Sequence, residues 1–175
     1  NVYAPSGDRS GLAVMVYVYP GAFKDGFKDF VMYDEGAIKM AQSNVIVVTI
    51  DYRGGAFGFL PAKELSATGD LIIGLQDVAA AFSWVRSNIE KFGGNSRKVT
   101  AFGLSAGGLS IGSLIIAKDG QLDLFDRAFM MSGSVIPVLE TPETAEPVVE
   151  ELAHLLNCSS GNLDGNTSRI DCMRK

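Results

Sequence analysis

The stretch "KVTAFGLSAGGLSIGSL", Lys98 to Leu114, sets one serine among glycines. The β-prone residues up to Leu104 predict a strand. The small and then apolar residues from Ser105 to about Ala117 predict a helix. Gly103 and Gly107 stand two positions before and two after Ser105. A serine hydroxyl is a weak nucleophile until a base takes its proton, and it must be held clear of the backbone. A sharp strand–serine–helix turn does this, but it brings strand and helix so close that only small residues fit at those two positions. Ser105 is therefore the candidate nucleophile of a G-x-S-x-G elbow. A Gly-Ser turn in which Ser105 only caps the helix is the alternative with the same letters.

A second stretch, "YPGAF" from Tyr19 to Phe23, follows an earlier strand. Acyl transfer builds negative charge on a carbonyl oxygen, and backbone N–H groups aimed at that oxygen stabilise it. One donor follows the nucleophile, here Ala106; others come from a small-residue loop after an earlier strand, here Gly21 and Ala22. Pro20 has no N–H to give.

Around these two stretches, strands and helices alternate. The apolar runs Ala13–Tyr19, Asn44–Tyr52, Lys98–Leu104 and Arg127–Met131 read as strands. The first two are rich in Val and Ile with little alternation, as in parallel strands covered on both faces. Leu75, Val78, Ala79, Phe82, Val85, Ile89 and Phe92 recur at helical spacing, and Gly93 stops that helix. A shorter helix is expected from about Gly36 to Gln42. Another runs from Thr144 to Leu156, with Val148, Val149, Leu152, Leu155 and Leu156 on one side. The pattern is that of an α/β fold with a mainly parallel sheet flanked by helices.

Composition narrows the function. The 175 residues are 47% hydrophobic, enough for one domain with a buried core. A net charge of −5 without a basic cluster argues against a nucleic-acid partner. No apolar run approaches the roughly 20 residues of a membrane span. "NVYAPSGDRSG" at the start reads as the end of a strand running into a turn. Two cysteines, Cys158 and Cys172, flank a turn-rich stretch. Asn157-Cys158-Ser159 and Asn166-Thr167-Ser168 fit the N-glycosylation pattern. A short polar loop carrying glycans suits a secreted protein; two free thiols and chance matches are the alternative.

Taken together, "NVYAP", "VYVYPGAF", "VIVVTIDYRGGAFGFL", "GLQDVAAAFSWVRSNIEKFGGN", "VTAFGLSAGG", "LFDRAFMMSGS" and "LNC…DCMRK" resemble the type-B carboxylesterase/lipase family, the cholinesterase-like branch of the α/β-hydrolases. The resemblance implies a partial α/β-hydrolase fold over residues 1–175 and hydrolysis of a small-molecule or lipid ester through an acyl-enzyme. It implies no cofactor or metal, a secreted or ER-lumenal setting, a Cys158–Cys172 disulfide, and a buried Arg53–Asp77 ion pair. The chain also departs from that family. Pro20-Gly21-Ala22 replaces a run of three small residues, and Leu104 stands where Glu is common before the nucleophile. Asp51 stands in place of Asn, and Leu71-Ile72 near a usual Gly-Asn pair.

On that fold the acid and the histidine follow the serine in the chain. The single histidine, His154, falls on the polar side of its helix, three and four residues after Glu151 and Glu150, as in ordinary surface pairing. The expectation is therefore a chain that carries the nucleophile and oxyanion donors without the acid and base, with the rest of the hydrolase domain as its partner. Some members of such families are adhesion or scaffold proteins that typically lose the serine; here Ser105 is present.

Overall fold

A computed structural model describes residues 1–117, 123–134, 140–163 and 167–175. The chain divides into two compact units, Asn1–Gly58 with Ile73–Pro137, and Phe59–Ile72 with Val138–Lys175.

The first unit is a five-stranded sheet flanked by helices, in the order β1-β3-β2-β4-β5. The strands are β1 (Val2–Tyr3), β2 (Leu12–Val18), β3 (Val45–Thr49), β4 (Gly94–Leu104) and β5 (Arg127–Met131). Only β1 runs antiparallel to its neighbour. The four apolar runs form strands as expected, with β5 at the expected bounds. β3 buries Ile46, Val47, Val48 and Thr49 in succession, as a strand covered on both faces must. β2 alternates more than its sequence indicated, with Val14, Val16 and Val18 buried and Met15 and Tyr17 less so.

The helix α4 (Ile73–Asn88) turns into a 3-10 turn, Ile89–Phe92. Val78, Phe82, Val85 and Ile89 of its predicted stripe are fully buried. Phe92, expected in that stripe, is instead 44% exposed and lies 6.0 Å from the ring of Trp84. Gly93 ends the run at φ +84°, a left-handed cap that a side chain would strain. The helix α1 (Val31–Ala41) starts earlier than expected, because Phe30 at its N-cap has no side-chain acceptor to announce the start, and a short helix α2 (Gly55–Phe59) follows β3.

A buried arginine ties β4 to β5. Arg86, 12% exposed, donates to Asp126 and Asp123 at 3.0 Å each. The Asp126 carboxylate accepts from the Val99 N–H, and the Asp126 N–H donates to the Val99 carbonyl, both at 2.8 Å. Burial alone would raise the Asp126 pKa, but the bonds from Arg86 and Val99 hold it below the usual carboxylate range.

The second unit packs α3 (Lys63–Ser66), α6 (Pro142–Leu155) and α7 (Arg169–Met173) around Ala62, Leu65, Val149 and Ile170. α6 begins before Thr144 because Thr141 and Thr144 form a capping box with Pro142 between them. Its buried side is Ala145, Val149 and Ala153, while Val148, Leu155 and Leu156 of the expected apolar face are exposed. Packing selects the narrow stripe of small residues, and a pattern of large apolar residues does not reveal that choice.

Arg169 is the charged centre of this unit. It meets Glu64 at 2.9 Å, and Glu146 and Glu150 at 2.8 Å each. Cys158 and Cys172 form a disulfide with Cα atoms 5.7 Å apart. Asn157 is exposed, with its side-chain oxygen accepting from Asn162 at 2.8 Å. Asn166 lies outside the described residues. The disulfide closes a 14-residue separation, and loops near that length stabilise by about 3 kcal/mol in the chain-entropy model. Replacing both cysteines by alanine should lower the unfolding free energy by that order, read from denaturant midpoints.

Candidate active site

β4 ends at Leu104 and α5 (Ala106–Ile116) begins one residue after Ser105. Ser105 makes the turn alone, at φ +53° and ψ −117°, a backbone conformation that L residues rarely adopt. Its N–H donates to the Met131 carbonyl at 2.8 Å, and its carbonyl accepts from the Leu109 N–H at 2.9 Å. The side chain is half-buried and makes no capping bond to α5. The capping alternative is thereby excluded, and the hydroxyl is not engaged by the helix it precedes.

The glycines are explained by distance. A Cβ built on Gly107 would lie 2.0 Å from the Val18 carbonyl oxygen. One on Gly103 would lie 2.7 Å from the Gly107 carbonyl carbon and 2.9 Å from Val18 O. Gly133, in the segment after β5, closes the far side, where a Cβ would sit 2.5 Å from the Ser105 backbone carbonyl oxygen. Gly133 was not legible as a site residue, since nothing local marks it and only the fold brings it to the elbow.

The Tyr19–Phe23 loop leaves β2 beside this turn, because Tyr19 O is also close to Gly107. Gly21, Ala22 and Phe23 have φ of +133°, +52° and +62° in succession. The Gly21 carbonyl accepts from Lys24 and Asp25 N–H groups at 2.9 and 3.0 Å, and Phe23 O accepts from Gly55 N–H at 2.6 Å. These bonds fold the loop's carbonyls back into the chain. Among the described residues, none accepts from the N–H groups of Gly21 or Ala22. Ala106 is the first residue of α5, so its N–H has no partner within the helix.

Two tyrosines hold the strand ends in place. The Tyr19 hydroxyl donates to the Tyr52 carbonyl at 2.9 Å, the Tyr52 hydroxyl donates to the Tyr19 carbonyl at 3.0 Å, and the rings stack at 4.3 Å. Burial pushes both phenols up, so they remain protonated donors at neutral pH. Sequence reasoning missed this reciprocal clamp, because neither residue signals the other.

Arg53 and Asp77 meet through two side-chain bonds of 2.7 Å, and the Arg53 N–H adds a third at 3.0 Å. The expectation of a buried pair is corrected, since the Arg53 side chain is 54% exposed. The Arg53 bonds hold the Asp77 carboxyl below the usual carboxylate range. His154 is exposed on α6. Among the described residues no group of His, Cys, Asp and Glu could hold a metal, and no helix is long and apolar enough to cross a membrane.

A mostly parallel sheet with a strand–serine–helix elbow at the carboxyl end of β4 defines the class: the fold is that of an α/β-hydrolase, in part. A solved PNB esterase superposes with a TM-score of 0.81 at 38% identity, over 99% of this chain and 37% of that chain. The para-nitrobenzyl esterase of Bacillus subtilis (strain 168) is 42% identical over 164 residues, 94% of this chain and 33% of its own length. The acetylcholinesterase of Danio rerio is 39% identical over 182 residues, 99% of this chain and 27% of its own length. The family model for the carboxylesterase family matches residues 1–175. The chain belongs to the carboxylesterase family, and it spans 27% to 33% of those two curated relatives.

Two measurements test the site's frame. Gly107→Ala must displace the Val18 carbonyl or the first turn of α5, and should destabilise by about 1–3 kcal/mol, as overpacking does. Asp77 has a depressed folded pKa. Its contribution to stability is therefore present above the unfolded value of about 3.9 and is lost as pH falls through the folded value. Asp77→Asn should destabilise the protein at neutral pH and flatten this acid limb of the stability–pH curve; an unchanged curve would show that the pair contributes nothing.

Proposed function

We propose that this chain supplies the nucleophile and the oxyanion donors of a serine ester hydrolase. The observation that carries the reading is Ser105 itself: a strained, left-handed serine between Gly103 and Gly107, with no capping bond from its hydroxyl to α5. Ser105 Oγ attacks the ester carbonyl and the alcohol leaves, giving an acyl-enzyme that water then hydrolyses. The developing oxyanion is held by the N–H groups of Gly21, Ala22 and Ala106. In support, the loop carrying Gly21 and Ala22 leaves β2 against the elbow, and its carbonyls are turned into its own bonds.

The base and acid are supplied by residues other than those of this chain. Its single histidine is exposed on a surface helix, three and four residues from two glutamates. The names of the relatives, para-nitrobenzyl esterase and acetylcholinesterase, agree with an ester as substrate. The disulfide and the Asn157 and Asn166 sequons fit an oxidising compartment, secreted or ER-lumenal, with glycans on that loop. The residues of this chain alone are expected to be catalytically inactive.

Labelling of the full-length protein with a fluorophosphonate tests the assignment. The expected result is a single adduct on Ser105. Ser105→Ala should abolish both labelling and turnover, by several orders of magnitude, without moving the unfolding midpoint. Wild-type turnover in Ser105→Ala would reduce the elbow to a tight turn. A folded wild type that takes no label would place the protein with non-catalytic adhesion or scaffold relatives.

A further inference from the structure

The loop that follows β2 is held in a conformation its own residues do not favour. Ala22 and Phe23 are L residues at φ +52° and +62°, directly after Gly21 at +133°. Non-glycine residues in the left-handed region persist only where the surroundings fix them. The bonds from the Lys24 and Asp25 N–H groups to the Gly21 carbonyl close the loop on itself. They do not set its position relative to Ser105. That position depends on what holds its two ends, at Tyr19 and Phe23.

Both ends are held by one segment, Tyr52 to Gly55, just after β3. The Gly55 N–H donates to the Phe23 carbonyl at 2.6 Å. The approach is at backbone distance: a Cβ on Gly54 would lie 3.1 Å from the Lys24 carbonyl oxygen and 3.3 Å from that of Phe23. The hydroxyl of the buried Tyr52 donates to the Tyr19 carbonyl at 3.0 Å. The same Tyr19 oxygen lies 3.0 Å from where a Cβ on Gly107 would stand, so it meets the elbow as well as Tyr52. Gly21 and Ala22 lie between the two anchored carbonyls.

The segment is fixed in turn from α4. The Asp77 carboxylate accepts from the Arg53 N–H at 3.0 Å and from the guanidinium through two bonds of 2.7 Å. The backbone bond is the one that bears on the loop, because Arg53 lies between the two anchors, Tyr52 and Gly55. A Cβ on Gly58 would lie 1.9 Å from the Arg53 carbonyl oxygen, so this stretch of main chain is enclosed by α2 as well. Water reaches the guanidinium and weakens the attraction of the charges, but the geometric constraint on the Arg53 backbone remains.

We propose that Tyr52 and Asp77 are positioning residues for ester hydrolysis, which act through the Tyr19 and Phe23 carbonyls to hold the Gly21 and Ala22 N–H groups over Ser105. Neither touches substrate. The proposal rests on Ser105 as nucleophile and on Gly21 and Ala22 as oxyanion donors. Such donors bind the transition state more strongly than the substrate, so displacing them lowers kcat and leaves KM. Acylation and deacylation both pass through an oxyanion, so both steps slow. In the full-length protein, kcat and KM are measured for 4-nitrophenyl acetate, and Ki for a trifluoromethyl ketone, which forms a tetrahedral adduct with a reactive serine. All are read well below each variant's unfolding midpoint, alongside fluorophosphonate labelling of the wild type. Tyr52→Phe keeps the stacked ring and removes only the donor. It should lower kcat by about 10- to 100-fold, the scale of a displaced catalytic group, with KM unchanged and Ki raised by the factor that kcat/KM loses. Asp77→Asn should act in the same direction, and carries the test if Tyr52→Phe does not fold. A merely structural role would lower the unfolding midpoint and leave kcat and Ki at their wild-type values; that result in either folded variant would overturn the proposal. A wild type that takes no fluorophosphonate label would instead remove the nucleophile on which it rests.

Discussion

The Val18 carbonyl and the first turn of α5 approach so closely that a single carbon on Gly107 would lie 2.0 Å from the oxygen. This contact joins the end of β2 to the start of α5. Gly103 permits it from the β4 side, and Gly133 closes it from the segment after β5. The Ser105 N–H bond to Met131 then sets the height of the turn against β5. With each neighbour at van der Waals contact, the serine is held at φ +53° because relaxing it would require three strands and a helix to move together. The strain is local, and the surrounding sheet sustains it.

Buried and half-buried cations complete that frame, each answered by carboxylates. Arg86 gathers Asp123 and Asp126 where β5 begins beside β4. Asp126 returns two backbone bonds to Val99, so charge and ladder register are set by one residue. Arg169 plays the corresponding role in the second unit with Glu64, Glu146 and Glu150. Removing one partner from such a group leaves a charge in a poorly solvated place, which costs more than the intact pair contributes. Arg53 and Asp77 differ, since water reaches the arginine and screens the attraction.

The chemistry follows from where these constraints end. At the carboxyl ends of β2 and β4 the chain stops making ladder bonds and presents other groups: the Ser105 hydroxyl and the N–H groups of Gly21 and Ala22. The Tyr19–Tyr52 clamp holds the ends of β2 and β3 at a fixed separation, so the loop between Tyr19 and Phe23 leaves from a rigid base. In the proposed hydrolase these groups are positioned by the sheet and need little ordering when a substrate arrives.

Much of this was legible in the chain itself. The Val- and Ile-rich runs of β2 and β3, the period of Val78, Phe82, Val85 and Ile89, and the glycines around Ser105 all express requirements met within a few residues of one another. Strand pairing, helical repeat and the crowding of a tight turn are local, so their marks are local. The Arg53–Asp77 pairing became legible through the family resemblance, without which neither residue announces the other; the same resemblance decided that Cys158 and Cys172, the only two cysteines, are bonded and not free. Gly133 against Ser105, the Tyr19–Tyr52 clamp and the small-residue face of α6 left no such mark. Each depends on which distant segment arrives beside it, and that is decided only when the sheet order and the packing of helices on its faces are in place. The sequence determined that a serine would stand at a strand–helix turn; the tertiary structure decided what surrounds it.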